Sequence, residues 1–460
     1  MKRIFQALTA AALLAVLLAG CTPDEPSPVE LSIPQPTGEA VLQNYVALGN
    51  SLTAGFMDAG LVMNGQVNSY PQLIAQQLGY PSGTFMQPLI SWPGVGSSDT
   101  GDPMQVAGVL FFNGAEINIA GPTPLADVPG LLLASNWPVP YNNLGVPGAT
   151  LLDMTQALDS ATSQSPGNAF FDMILRNPTF GNKSALEQAT ALAPTLVTLW
   201  IGNNDVLGGA TSGQPEPGVN LTPPEIFENL YNALLDQVTQ RVRQRAGYDP
   251  VIVVGNIPSI TTIPYFLPKP VFDAMAGMAV PTVESDPVYV RFPVLSHLTE
   301  AGFVPLAEEW TLTQAEVEAV ETTVDAYNAI IADAVAARDN VYLFDAHGAM
   351  QVLATAGLEG MTANHFLVLV NQLGDIQAAA AATFFSLDGV HPNNRGYGVI
   401  ANGFIDVINA ALGTEVPHVD VASLTWDPTY GLLGAGEEEA TAGRLLTPAA
   451  ARAMDAVFRR

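Results

Sequence analysis

Four runs of consecutive apolar residues punctuate the chain: Tyr45–Gly49, Thr195–Ile201, Val251–Gly255 and Val341–Phe344. None alternates with polar residues, so each predicts a strand buried on both faces. Residues 141–146 predict one more strand. Helical spacing lies between them. Residues 68–79 predict a helix with Pro71 near its start and Gly79 at its end. Residues 223–246 predict another, with Pro223 and Pro224 in the first turn and Arg241, Arg243 and Arg245 in the last, where cations favour the helix dipole. Residues 313–338 carry the clearest signal: Thr313 is a cap and Glu316 stands three positions on. Residues 396–412 predict the last core helix. Between residues 80 and 140 Gly and Pro dominate, and Val109 to Ile119 predicts a hairpin. Strands alternating with helices imply an α/β fold with a parallel sheet covered on both faces. In such sheets, chemistry sits beyond the carboxyl ends of the strands.

The N-terminus has a different pattern. Lys2 and Arg3 precede a mostly apolar stretch from Ile4 to Ala19, closed by Leu18-Ala19-Gly20-Cys21. This is the layout of a secretory signal and resembles a bacterial lipobox, which implies a diacylglycerol on the Cys21 thiol. Cys21 is the single cysteine, so the mature chain has none left for a disulfide. No second apolar run is long enough to span a bilayer. Proline-rich residues 21–43 predict a tether. The expected organisation is a signal peptide over 1–20, the tether, a main domain over 44–415 with insertions near 80–140, 258–312 and 346–385, and an extension over 416–460. The expected location is the cell envelope, at the outer membrane after secretion, held to it by lipid on Cys21.

Charge narrows the partners. Against 43 acidic residues stand 15 basic ones, of which only Lys2, Lys183 and Lys269 are lysines, giving a net charge of -28. Such a surface repels nucleic acid, and no nucleic-acid partner is expected. It fits an extracellular protein, or adaptation to salt, where screening removes the self-repulsion.

Four clusters at successive strand ends carry candidate chemistry. Gly49-Asn50-Ser51-Leu52-Thr53-Ala54-Gly55 puts a serine at the end of the first strand. Alone, it reads first as a helix cap; as a nucleophile it needs a base. Ser386-Leu387-Asp388-Gly389-Val390-His391-Pro392 offers one: Asp388 reaches one ring nitrogen of His391 from the same turn and leaves the other for a serine proton. In Gly202-Asn203-Asn204-Asp205 an Asn side chain can donate to a developing oxyanion. In Asn143-Leu144-Gly145-Val146-Pro147-Gly148-Ala149-Thr150 a glycine N–H can do the same. His297, His347, His365 and His418 lack an aspartate so placed and read as surface or packing residues. None shows zinc-ligand spacing. No phosphate-binding Gly-rich loop occurs, so neither metal nor cofactor is expected. The G-x-S-x-G elbow of α/β-hydrolases is absent, because position 53 is Thr.

In this order the clusters resemble the blocks of the SGNH hydrolase superfamily, the GDSL-type lipases and esterases. The resemblance spans residues 45–397. It implies a flavodoxin-like three-layer α/β/α sandwich with a five-stranded parallel sheet and large loop insertions. It implies a serine esterase or lipase working through an acyl-enzyme, with Ser51 as nucleophile, His391 as base and Asp388 orienting it. The implied oxyanion hole is the N–H of Ser51, the N–H of Gly148 and the side chain of Asn204. Asn50 departs from the pattern, which has Asp there. If that residue serves by its hydrogen bonds, Asn suffices.

The expected substrate is a small-molecule, lipid or glycan ester. Phe111-Phe112, Leu131-Leu132-Leu133, Tyr265-Phe266-Leu267 and Phe366-Leu367-Val368-Leu369-Val370 either roof an acyl pocket or pack the insertions. A polysaccharide O-acetyl esterase and a non-catalytic binding lipoprotein on the same fold stay open as alternatives. The short amphipathic segment Ala449–Arg460 packs on the domain or meets a partner.

Overall fold

A computed structural model of the chain describes residues 35–96, 102, 104–297, 305–433 and 445–456. Cys21, the signal segment and most of the tether lie outside the described residues. So do residues 457–460, the end of the expected amphipathic segment, and the side chain of His297.

Five parallel strands form the central sheet: β1 (Tyr45–Gly49), β2 (Asn143–Gly145), β3 (Leu196–Trp200), β4 (Val251–Gly255) and β5 (Val341–Phe344), in the order β5-β4-β3-β1-β2. Every residue of β1, β3 and β4 is buried, which is what their unbroken apolar runs require. Side chains still alternate between the faces. Val46, Leu48, Val197, Leu199, Ile252 and Val254 join one core, and Tyr45, Ala47, Leu196, Trp200, Val251 and Val253 the other.

The first face is covered by α3 (Ala185–Ala191), α5 (Pro224–Ala246) and α6 (Gln314–Ala336), the second by α2 (Tyr70–Gln77) and α9 (Asn394–Leu412). The result is a three-layer α/β/α sandwich. Thr313 caps α6, and the reciprocal bond from the Glu316 side chain completes a capping box. The chain also forms a short turn of helix, α1 (Ser51–Ala54), and the helices α4 (Asn204–Ser212), α7 (Ala346–Ala356) and α8 (Phe366–Leu373). The last helix is α10 (Pro448–Ala456).

The chain leaves β1 toward β2 on one side and returns to β3 on the other. That reversal opens a crevice at the carboxyl ends of β1 and β3, the favoured ligand position in such sheets.

The insertions build a satellite cluster of their own. The expected hairpin is present as Leu110–Phe112 paired with Ile117–Ile119. A three-stranded antiparallel sheet joins Phe266–Pro268, Pro287–Arg291 and Thr311–Thr313. Phe112, Leu267, Phe292, Phe366, Leu387 and Trp426 share this cluster with Leu446 and Met454 of the C-terminal segment. The extension therefore packs on the domain. Its Asp455 makes a buried ion pair with Arg291 at 2.8 Å. Within the stretch expected as a tether, Gly38–Gln43 form a 3-10 turn that buries Val41, and the Gln35 side chain donates to the carbonyl of Asp249.

Candidate active site

Beyond Gly49 the chain turns directly into α1. Asn50 caps that turn, its side-chain oxygen accepting the Leu52 N–H at 3.0 Å. Its amide nitrogen donates to Asn203 Oδ1 at 3.0 Å, tying the end of β1 to the end of β3. Capping thus falls to Asn50, and the neighbouring serine hydroxyl is left for another partner. That partner is His391, whose Nε2 lies 2.8 Å from Ser51 Oγ across 340 residues of chain.

The histidine is held from three directions. Its Nδ1 is 3.0 Å from Asp388 Oδ2, its ring packs against Phe56 with centroids 4.7 Å apart, and its loop closes on itself. In that loop Ser386 N–H donates to the His391 carbonyl at 2.8 Å, and Gly389 N–H to the Ser386 carbonyl at 3.1 Å. Gly389 has φ of 72°, a left-handed conformation that glycine adopts without strain. Ser51 is 7%, His391 2% and Asp388 1% exposed.

Asp388 is fully used. Oδ1 accepts the N–H groups of Val390 and His391 at 2.9 and 2.8 Å, and Oδ2 accepts the Ala59 N–H at 2.9 Å besides the imidazole. Burial by itself raises a carboxyl pKa, but the nearby His391 and these donors outweigh it and hold Asp388 below the usual carboxylate range. An ionised Asp388 accepts a proton-bearing Nδ1, which leaves Nε2 as the acceptor facing Ser51 Oγ.

The other wall comes from β2 and β3. Asn204 opens α4, and its Nδ2 donates to the Ala149 carbonyl at 2.9 Å, using one of its two hydrogens. Gly148, one residue before Ala149, has φ of 79°. A Cβ there would lie 2.8 Å from Asn168 Nδ2, which itself donates to the Pro147 carbonyl at 2.8 Å. Asp205 Oδ2 accepts the Leu151 N–H at 2.9 Å. The Gly148 turn and the Asn204 amide are therefore built as one unit.

Ser51, Asn204 and His391 line a cavity of about 70 Å³ whose other walls include Leu52, Leu207, Ile257, Ile263 and Met350. Of the two readings of the apolar runs, packing is the one that holds at this cavity. None of Phe111, Phe112, Leu131 to Leu133, Tyr265 to Leu267 or Phe366 to Val370 lines it. Most are packed in the hydrophobic clusters instead. An apolar run buries as well against a neighbouring insertion as over a pocket, so its composition does not tell the two apart.

A family model of GDSL-like lipases and acylhydrolases matches residues 45–404. The chain belongs to that family. It is a hydrolase acting on esters, and its five-stranded parallel sheet is the family's three-layer architecture. No curated protein matches the sequence.

One residue of this GDSL hydrolase escaped the sequence reading. Asp58 is fully buried with φ of 53°. Its carboxylate accepts the Leu387 N–H at 2.9 Å, the Trp426 indole N–H at 3.2 Å and the Tyr430 hydroxyl at 2.7 Å. Its own N–H donates to Ser386 Oγ at 3.0 Å. It thus joins the loop carrying Asp388 to the C-terminal extension. Burial, with the Asp388 charge adding to it, raises its carboxyl to about 7 in spite of these donors. The only sequence signal was an aspartate within an otherwise apolar stretch.

The remaining described histidines lie outside the cavity. His365 is buried, Nε2 lying 3.0 Å from the Leu387 carbonyl and Nδ1 accepting the Leu367 N–H. Burial pushes it down to about 4, so it is neutral at pH 7. His347 Nδ1 lies 3.1 Å from the Ile257 carbonyl, and His418 pairs with Asp406 at the surface. Among the described residues no group of three or more His, Cys, Asp or Glu side chains is arranged to hold a metal. Among the same residues no helix is long and apolar enough to cross a membrane.

Proposed function

We propose that the enzyme is a serine carboxylesterase that cleaves esters with an apolar acyl group through an acyl-enzyme on Ser51. The observation that carries this reading is the hydrogen-bonded line Asp388–His391–Ser51, with steps of 3.0 and 2.8 Å, opening onto an apolar cavity. In the first half-reaction Ser51 Oγ attacks the ester carbonyl while its proton passes to His391 Nε2. Asp388 stabilises the imidazolium. The oxyanion is received by the N–H groups of Ser51 and Gly148 and the second Nδ2 hydrogen of Asn204. Collapse breaks the carbonyl–oxygen bond, and His391 returns the proton to the departing alcohol. Water then attacks the acyl-enzyme with His391 again as base, releasing the acid and restoring Ser51. The apolar lining supports an alkyl acyl group over a polysaccharide acetyl ester, which asks for a polar surround.

The test is hydrolysis of p-nitrophenyl esters of rising chain length by residues 22–460, with Ser51→Ala as the blank. Turnover that vanishes in the variant, while its far-ultraviolet circular dichroism is unchanged, supports the reading. Undiminished turnover in the variant rejects it. The same reading sets the enzyme at the cell envelope through lipid on Cys21. Cys21→Ser should then move it from the membrane fraction to the soluble one.

A further inference from the structure

A cavity of about 70 Å³ is small: one of about 150 Å³ takes up a single benzene. Only a short acyl group fits within the cavity at Ser51. Four of its walls, Trp200, Met350, Phe384 and Ile400, are also walls of a second cavity of about 340 Å³ between α7 and α9. That volume lies within the range of small-molecule sites, roughly 300–1,000 Å³.

The inner surface of this second cavity is apolar, with Phe344, Ala349, Leu353 and Val399 in its lining. Side-chain choice keeps it open. Ala349 presents a single methyl. Gly403 of α9 lets the Phe344 ring lean onto the helix, where an added Cβ would collide with it. The outer rim is polar and exposed, formed by Glu359, Asp406 and His418. Protein interiors are otherwise close-packed, so an apolar concavity of this size beside a reacting centre is suited to an apolar guest. Met350 stands between the two cavities. It is unbranched with three rotatable bonds, and can swing aside at little cost.

We propose that the two cavities are one acyl site, and that the enzyme acts on esters of straight-chain, medium-length fatty acids. The carbonyl lies at Ser51, the chain passes Met350, and its tail rests between α7 and α9. The acidic residues at the rim favour an uncharged methyl end over a carboxylate. The inference rests on the esterase reading above and adds the chain length and the place of the tail.

The experiment compares kcat/KM for p-nitrophenyl acetate, butyrate, octanoate and decanoate in the wild-type protein and in Ala349→Trp, with Val399→Phe as a second plug. Neither residue lines the cavity at Ser51. The wild type should prefer octanoate and decanoate. Each plug should lower decanoate turnover tenfold or more while acetate stays within twofold. Binding of decanoate, followed by calorimetry on the Ser51→Ala protein, should weaken by a similar factor when Ala349→Trp is added. Wild-type turnover confined to acetate and butyrate overturns the proposal while leaving the esterase reading intact. So does a chain-length profile that both plugs leave unchanged, or decanoate binding that the plug does not alter. Failure of every ester in the wild type overturns the esterase reading and this inference with it.

Discussion

Asp58→Asn probes the junction between the loop carrying Asp388 and His391 and the C-terminal extension. In the folded protein the Asp58 carboxyl titrates at about 7, against 3.8 for an unperturbed aspartate. Between those values the folded chain keeps a proton that the unfolded chain releases, so stability falls as pH rises through the window and levels off above it. The full span corresponds to about 4 kcal/mol, and the part between pH 5 and pH 8 to roughly 2–3 kcal/mol. Asp388 behaves oppositely, since its folded value is depressed. It adds stability as pH climbs out of the acid range, complete above the unfolded value, and so does not disturb the comparison at pH 5 and 8.

Asparagine keeps the acceptor for Leu387 N–H but turns an N–H toward the Trp426 indole. That costs about 1–3 kcal/mol at every pH. The assay is urea unfolding of both proteins at pH 5 and 8. Relative to the variant, the wild type should lose roughly 2–3 kcal/mol on going from pH 5 to 8. A difference between the two proteins that is the same at both pH values would refute a proton held on Asp58.

Asn204→Ala removes one of the proposed oxyanion donors and should lower kcat about a hundredfold or more, with KM changed far less; steady-state kinetics on one ester decides it. Asn50→Asp keeps the cap on Leu52, and Asn203 can reverse its amide to donate, so turnover should stay within about threefold on the same ester. Asp455→Ala strands the buried Arg291 and should cost about 3 kcal/mol or more in urea unfolding; a loss under 1 kcal/mol would show that the pair contributes little.

The sheet was legible because its strands are buried on both faces. Val251–Gly255 has no other stable fate than a central strand, and Thr313 with Glu316 marks a helix start through chemistry confined to four residues. That Ser51 and His391 meet was legible for a different reason: each sits at a strand end or local turn, and the order of blocks joined them. Four features were not legible. Asn50 and Ser51 are both good caps, and only the geometry decides between them. The apolar insertions bury against one another and against α10, a contact between segments far apart in sequence. The Asp58 junction has no local signature, since its partners Leu387, Trp426 and Tyr430 come from distant parts of the chain. The cavity walls, likewise, come from seven separate stretches, and the residues that stand out as apolar runs are the ones that fill cores.

The central claim is that Ser51 becomes acylated with His391 as its base, and covalent labelling tests it most directly. Wild-type protein treated with a fluorophosphonate and digested should carry one adduct, on the peptide containing Ser51. The rate of labelling should fall by orders of magnitude in His391→Ala. An adduct on another serine, or a Ser51→Ala protein that labels as fast as the wild type, would contradict it.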